Sequence, residues 1–526
     1  MKRIGIDFGT TNSTVAYFDE TRQQIIGHIF NGVGREYYPS AIAYPKNKGR
    51  ILIGYEAQGS NRDNYYYYEF YKLNLYTYYK QILNAEHGKP VIDVVKDYLH
   101  LLIEKYKHEN FTRGDERKAR LEYIALAIPN AANEDQISYA KEIKSDLRAF
   151  LNNEAEASVF CAEAVCACEF YISKPENQNF QGNIVVVDYG GGTLNISNCY
   201  VAGDQTGKKN INVVAQGGTG TDERNIFGFA GVAFDRGVVR LIPEIASMNL
   251  PENELNEYAV SFEQEFKIKK HDAIREALEN YYREGKDVTL TWKVSNKERY
   301  VFNVSLLYSV FENENMPLLK KHFDSVVPQG DRTNGGAASQ DSFRVLPIGG
   351  FSQLLCVEKA IEKFLSIDLA DLHDNRIAKI NTHEKFISVA YGAAVYANKR
   401  NVESEPVISL FEIGVKYFDG QKMNNDVLVK KDMDIKSIHN VQWGNNYQII
   451  DAEHANINIY CRASTSGETE KPFDISDVCT DNCIVRLCVT IQGNKYKLHV
   501  QNINNNNERE WDLSAMIADY KNRSRG

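Results

Sequence analysis

Apolar and polar positions alternate from Lys2 to Phe18, broken once by a run of small and hydroxyl residues. Arg3 to Asp7 reads as a strand, Phe8 to Ser13 as a tight turn, and Thr14 to Phe18 as a second strand. The plan returns at Asn183 to Tyr200: apolar strand, Asp188, Gly190-Gly191-Gly192, Thr193, apolar strand. Between them, Arg35 to Gly54 carries period-2 strands broken by Pro39 and Pro45, and the aromatic run Asn64 to Lys80 reads as core, a partner surface or both, with core the first reading. Val91, Val94, Val95, Tyr98, Leu102 and Tyr106 fall on one face of a helix that opens behind Pro90. Tyr123 to Pro129 predicts a buried strand, and Glu134 to Leu151 and Phe160 to Phe170 predict helices. Further on, Glu252 to Tyr282 is helical, Thr289 to Ser305 alternates like a hairpin, and Pro328 to Asp341 has the composition of a loop. Arg344 to Gly350 is a buried strand, and Ser352 to Leu365 and Phe386 to Asn398 are helices. Beyond Glu405-Pro406 the alternation resumes as several short strands with Asn and Gly turns, an all-β module.

The repeated turn carries the chemistry. Gly9, Thr10, Thr11 and Asn12 let the backbone pass close to a bulky group and aim several N–H groups into one concavity. Such nests bind anions, most often phosphate. Asp7 ends the first strand and faces the same guest, which calls for a cation between them; Mg²⁺ keeping its waters is the obvious one. Gly190, Gly191, Gly192 and Thr193 after Asp188 repeat the arrangement, with Asn12 and Asn195 following in turn. Two matching units imply a duplicated α/β architecture with a nucleotide clamped between halves.

Length and charge narrow the remaining classes. At 526 residues the chain exceeds what one core supports, so two or three domains are expected. A net charge of −9 with no basic stripe argues against nucleic acid as a partner. No apolar run approaches the ~18–20 residues that span a bilayer, so no membrane role is expected. The first strand starts at Arg3, leaving no room for a signal peptide, and nine cysteines without framework spacing suit a reducing cytosol; a cytoplasmic location is expected. No Gly-x-x-x-x-Gly-Lys-Ser/Thr loop is present, which excludes a P-loop NTPase.

The two hairpins closely resemble the phosphate loops of the actin-like ATPases, and IGIDFGTTNSTVA most resembles the seventy-kilodalton heat-shock chaperones. The resemblance runs in order over roughly residues 1–400. It implies a nucleotide-binding domain with lobe I at about 1–182, lobe II at about 183–380 and a hinge helix at 384–398. It also implies ATP or ADP with Mg²⁺, the metal held through water by Asp7 and Asp188. Thr10, Thr11, Asn12 and the Gly190–Thr193 turn then supply phosphate donors, with Asp188 and Thr193 counted among the catalytic groups. Lys72 falls where the family places the lysine that orients the attacking water, and Glu163 where the first hinge helix carries its acid, although the family's proline there is lost. GFAGVAFDRGVV resembles the family's Gly-Gly-x-x-Phe-Asp, with Gly231, Phe234 and Asp235 kept. FEQEFKIKKH offers Glu265, Lys267 and Lys270 for the adenosine contact, out of the family's spacing, and Glu265 and Lys267 are assigned. Gly349-Gly350 resembles the adenosine motif, but Phe351 and Gln353 replace the usual Ser and Arg. Asn195 stands where the family has an Asp, a change that removes a charge near the metal and slows hydrolysis.

Residues 405–526 weakly resemble the family's peptide-binding β-sandwich, with no helical lid expected after it and a polar Val402–Glu405 in place of the apolar linker. Cys479 and Cys483, with Cys461 and Cys488, lack zinc-site spacing and read as structural thiols. The expected function is an ATP-binding, slowly ATP-hydrolysing chaperone-like protein. Its nucleotide state would control a β-domain that binds extended or unfolded peptide or a dedicated protein, with co-chaperones as further partners. The competing readings are a nucleotide-gated regulator or scaffold and an actin-like filament.

Overall fold

A computed structural model describes residues 2–19, 21–22, 24–30, 34–111, 117, 119–130, 139–203, 209–219, 230–268, 271–294, 298–327, 342–367, 375–398, 412–418, 422–430, 444–453, 455–463, 466–492, 495–513 and 515–517. The chain divides into two compact units. One comprises Met1–Ala202, Val213–Val327 and Asp331–Asn401, the other Gly203–Asn212, Pro328–Gly330 and Val402–Gly526.

The first unit begins with β1 (Arg3–Phe8), β2 (Asn12–Asp19), β3 (Gln24–Gly27) and β4 (Tyr37–Pro39). A small sheet of β5 (Ile42–Pro45), β6 (Leu52–Ile53) and β7 (Tyr65–Tyr68) comes next, and β8 (Leu121–Ile128) and β9 (Ala155–Ala162) return to the first sheet. Its order is β3-β2-β1-β8-β9, with β4 on β2. β1 pairs antiparallel with β2, setting Asp7 opposite Thr14, and parallel with β8. Ile4 and Ile6 are fully buried on one face and Gly5 on the other is met by the Ala393 and Ala394 main chain, so this central strand is covered on both faces.

A second sheet has the same core. β10 (Gly182–Tyr189), β11 (Leu194–Gly203), β12 (Lys209–Thr219) and β15 (Phe343–Ile348) run in the order β12-β11-β10-β15. β10 pairs antiparallel with β11, setting Asp188 opposite Asn195, and parallel with β15. Between β12 and β15 lie a two-stranded hairpin, β13 (Thr289–Lys293) and β14 (Arg299–Asn303), and several helices.

Helices cover the sheets. Val91–Asn110 sets Val91, Val95, Tyr98 and Leu102 into one cluster with Ile4, Ile6 and Ile124. Tyr68, Tyr71 and Tyr79 of the aromatic run are buried in the same cluster, so that stretch is core. The helix Thr382–Asn398 lies on β1 at unusually short range: a Cβ on Gly5 would stand 2.6 Å from the Ala393 carbonyl carbon. The same helix crosses Glu163–Ser173 where Gly392 meets the Cys166 carbonyl.

Several sequence expectations need correction. Phe160–Ala162 is the end of β9, so the helix starts at Glu163 and Cys161 lies on a strand; Cys166 and Cys168 are buried helix thiols. Glu252–Tyr282 is not one α-helix: it runs as Glu252–Ser261, a π-helical stretch Phe262–Ile268, and His271–Glu284. Val304 and Ser305, expected at the end of a hairpin, open a helix after β14. Phe351–Gln353 is a 3-10 turn before the helix Leu355–Phe364. Helix Ala140–Glu154 matches the later part of the expected Glu134–Leu151, while residues 131–138, Gly220, Lys270 and the loop 328–341 lie outside the described residues.

The second unit holds β16 (Glu412–Phe418), β17 (Met423–Val429), β18 (Asn446–Ile449), β19 (Asn456–Ala463), β20 (Ser466–Asp474), β21 (Cys483–Gln492), β22 (Lys495–Asn502) and β23 (Glu508–Asp512). They form two four-stranded sheets, β17-β16-β19-β20 and β18-β21-β22-β23. Ile413, Val415 and Ile459 of one sheet share a cluster with Val485, Leu498 and Val500 of the other. Cys461, Cys479, Cys483 and Cys488 are free thiols. Among the described residues, no helix is long and apolar enough to cross a membrane.

Candidate functional site

The two hairpins of the first unit pair in the same register. Phe8 pairs with Ser13 around the Gly9–Asn12 turn, and Tyr189 with Leu194 around the Gly190–Thr193 turn. The turns face each other. A Cβ on Gly191 would stand 2.5 Å from Thr11 Cγ2, and one on Gly192 would stand 2.8 Å from Thr10 Cγ2. Only residues without side chains allow that approach. Gly9, Thr10, Thr11, Asn12, Gly190, Gly191 and Thr193 line one cleft. It encloses about 1120 Å³ when the solvent at its open mouth is counted. Gly192 does not line it; it is packed against Leu73 and Thr10 behind the wall.

Four ionisable groups meet on the cleft floor: Asp7, Lys72, Glu163 and Asp188. Lys72 and Glu163 are each the first residue of a helix, and Lys72 Nζ donates to Glu163 Oε1 at 3.0 Å. The Ala164 N–H, in the first turn of the Glu163 helix, donates to Asn130 Oδ1 at 3.2 Å, and the same carboxamide donates from Nδ2 to Ser197 Oγ at 2.5 Å. Burial pushes the Asp7 carboxyl up to about 7, with Lys72 opposing and Glu163 adding to the rise. Asp188 is raised well above the carboxylate range by burial first, then by Glu163 and Asp7, against Lys72. Burial works against the Lys72 charge, yet Glu163 and Asp7 hold the ammonium above its ordinary value. Three acids around one buried amine are under-compensated, and a further cation would relieve them.

Further up the wall, Gly231 donates its N–H to the Gly190 carbonyl at 3.1 Å, which places the start of helix Gly231–Leu241 at the second turn. Lys267 lines the cleft and forms an ion pair with buried Asp235 at 2.6 Å. Burial pushes Asp235 up to about 7; Lys267 opposes and Glu263 reinforces. The side chain of Glu265 lies outside the described residues; Glu263, four residues before Lys267, lines the cleft. Gly349 sits at φ +85°, where a Cβ would stand 2.7 Å from Asp188 Oδ1, so only glycine fits beside that carboxylate. Gly349 and Gly350 both line the cleft, with Phe351 and Gln353.

Sequence reasoning did not find Thr14, Glu263, His271, Arg275 or Phe386 as cleft residues. Arg275 is forked onto Glu358 at 3.3–3.4 Å, and Phe386 stacks on Tyr37 with ring centroids 5.0 Å apart. Asn195 is not among the lining residues; its Nδ2 donates to Thr193 Oγ1 at 3.4 Å.

The family model for Hsp70 protein matches residues 3–66, the stretch of the first hairpin and small sheet. A chaperone protein HscA homolog of Rickettsia akari is 27% identical over 208 residues, 37% of this chain and 31% of that protein. Chaperone protein DnaK of Stenotrophomonas maltophilia is 25% identical over 237 residues, 41% of this chain and 35% of that protein. DnaK of Buchnera aphidicola is 26% identical over 217 residues, 37% of this chain and 32% of that protein. The matches span about a third of the length of these curated relatives. They support a divergent member of the Hsp70 family, and the mixed α/β content with several sheets is consistent with an Hsp70-like ATPase fold.

Proposed function

We propose that this divergent member of the Hsp70 family binds ATP and ADP with Mg²⁺ between two duplicated lobes and hydrolyses ATP slowly. The observation that carries the reading is the contact of the two turns, Gly191 against Thr11, above a floor that gathers Asp7, Asp188, Lys72 and Glu163. Nests from both sides suit an extended triphosphate, and the under-compensated acids suit a divalent cation. Asp7 and Asp188 would hold hydrated Mg²⁺, which when bound neutralises charge on the β- and γ-phosphates.

The chain's own groups would do the rest. Thr10, Thr11, Asn12, Gly190, Gly191 and Thr193 donate to phosphate oxygens, with Gly192 allowing the turn to close. The Lys72 ammonium, held charged, orients the attacking water, and the Glu163 carboxylate fixes the ammonium. Lys267 and Glu263, with Gly231, Gly349 and Gly350, border the nucleoside. Asn195 is neutral where the family carries an acid and points to Thr193, which supports slow turnover and gives weight to a regulator or scaffold as the second reading.

The β-unit is proposed as a peptide or protein binder governed by nucleotide state. Phe418, Met423 and Val427 are exposed on the β16–β17 hairpin, and among the described residues β17 is the edge of its sheet, where strand addition would occur. Isothermal titration of purified protein with ATP and ADP, with and without Mg²⁺, tests the core of the reading. Metal-dependent heat of binding is expected; no heat from either nucleotide overturns it.

A further inference from the structure

Thr14 stands opposite Asp7 in the β1–β2 ladder, contributes to the cleft wall and is 3% exposed. Among the described residues its Oγ1 has no hydrogen-bond partner. The neighbouring hydroxyl, Ser13 Oγ, is satisfied by Ser40 Oγ at 2.8 Å, so the segment is not generally short of partners. The second hairpin provides the comparison. Asn195 occupies the matching place opposite Asp188, yet it does not line the cleft and its carboxamide is engaged with Thr193.

A buried hydroxyl without a partner weakens a fold. Valine has the same shape and would fill the position without that cost, so the oxygen is not explained by packing. The threonine hydroxyl moves among three staggered positions about χ1. Rotation there redirects it with no backbone movement, on a residue that already contributes to the cleft wall.

We infer that Thr14 is a positioning residue whose hydroxyl holds an oxygen of the hydrated Mg²⁺–nucleotide complex beside Asp7. This rests on the proposed nucleotide site. The hydroxyl opposite a metal-holding carboxylate then comes from the first hairpin, while at the matching place of the second hairpin Asn195 is engaged with Thr193. The polarity of the site is asymmetric although its backbone is repeated.

The test compares wild type, Thr14→Val and Thr14→Ser by titration with ADP, with Mg²⁺ and with a chelator, alongside thermal unfolding. Thr14→Val is expected to fold with an unfolding temperature at or above wild type and to bind Mg²⁺–ADP about tenfold more weakly. Its binding of metal-free ADP should be unchanged, and Thr14→Ser should return to within about twofold of wild type. Equal Mg²⁺–ADP affinity in Thr14→Val overturns the assignment. So does a Thr14→Ser no better than Thr14→Val, or an equal loss without metal, since either outcome marks shape rather than the hydroxyl. Should Thr14→Val not fold, Thr14→Ala is read by the same criteria. A wild-type protein that binds no Mg²⁺–ADP overturns the nucleotide site and this inference with it, whereas wild-type binding with an unaffected Thr14→Val removes this inference alone.

Discussion

The Lys72 ammonium lies 3.0 Å from the Glu163 carboxylate although 91 residues separate them in the chain. Each opens its own helix, so both side chains project from the rigid first turn of a helix rather than from a loop. Asp7 adds a second negative neighbour to the same amine. The pair thus joins the aromatic-rich segment after β7 to the helix that succeeds β9, beside the floor of the cleft.

Removing one partner leaves the other buried and charged. Lys72→Met is expected to destabilise the protein by about 3 kcal/mol, and Glu163→Gln by less. The double variant should lose clearly less than the two single losses added together. Urea unfolding of the four proteins measures the coupling, and additive losses would show that the pair does not act as a unit.

The floor carboxylates should favour ligand over fold. In Asp188→Asn a buried acid is neutralised, so the nucleotide-free protein is expected to unfold at a higher temperature than wild type. The same change should weaken Mg²⁺-dependent ADP binding by at least about tenfold. A thermal-shift comparison with and without Mg²⁺–ADP reads both effects, and a variant that is destabilised yet binds normally would contradict the placement.

Gly191 faces Thr11 with no room for a methyl group. Gly191→Ala is expected to cost about 1–3 kcal/mol through overpacking and to weaken nucleotide binding. Adding Thr11→Ser removes the Cγ2 that the new Cβ meets, so the double variant should recover part of both losses. If it recovers neither, the turns are not in contact.

Glu69 gives a pH dependence outside the cleft floor. Burial pushes its carboxyl up to about 7, against the Tyr67 hydroxyl and Arg62, while Glu263 and Glu257 add to the rise. The Tyr67 hydroxyl lies 2.5 Å away. The folded protein holds this proton to higher pH than the unfolded chain, whose carboxyl releases it near 4.5. The contribution is therefore complete below about pH 4.5 and lost as pH rises towards about 7. Glu69→Gln should abolish it, so the stability difference between wild type and variant should shift against wild type from about pH 5 to about pH 8. A difference that stays flat would show that Glu69 ionises normally.

Asp7 and Asp188 were legible because each comes at the end of a strand and the same spacing of small residues comes after; the register that pairs them with Thr14 and Asn195 is set by that spacing. Phe160–Ala162 was misread because a short apolar run at the seam of a strand and a helix satisfies either period. The region around Lys267 was out of phase for a structural reason. The π-helical stretch Phe262–Ile268 adds a residue to the turn and rotates the later side chains about the axis, so Glu263 lines the cleft at four residues' distance from Lys267. His271, Arg275 and Phe386 come to the cleft from helix faces whose partners lie far along the chain, and no local pattern distinguishes them from surface or core positions. Thr14 was hidden in plain alternation, since only the three-dimensional count of hydrogen bonds shows its oxygen to be idle.

The helix Thr382–Asn398 brings its main chain against two neighbours at glycines. Gly5 meets Ala393 and Ala394 from the strand below, and Gly392 meets the Cys166 carbonyl from the helix beside it. Approaches this close leave no space for a side chain on either surface. At the helix's first turns His383 pairs with Glu36 and Phe386 lies on Tyr37. Gly392→Val would thrust a branched side chain into the Cys166 carbonyl and wedge the two helices apart, even though it stands apart from every group on the cleft floor.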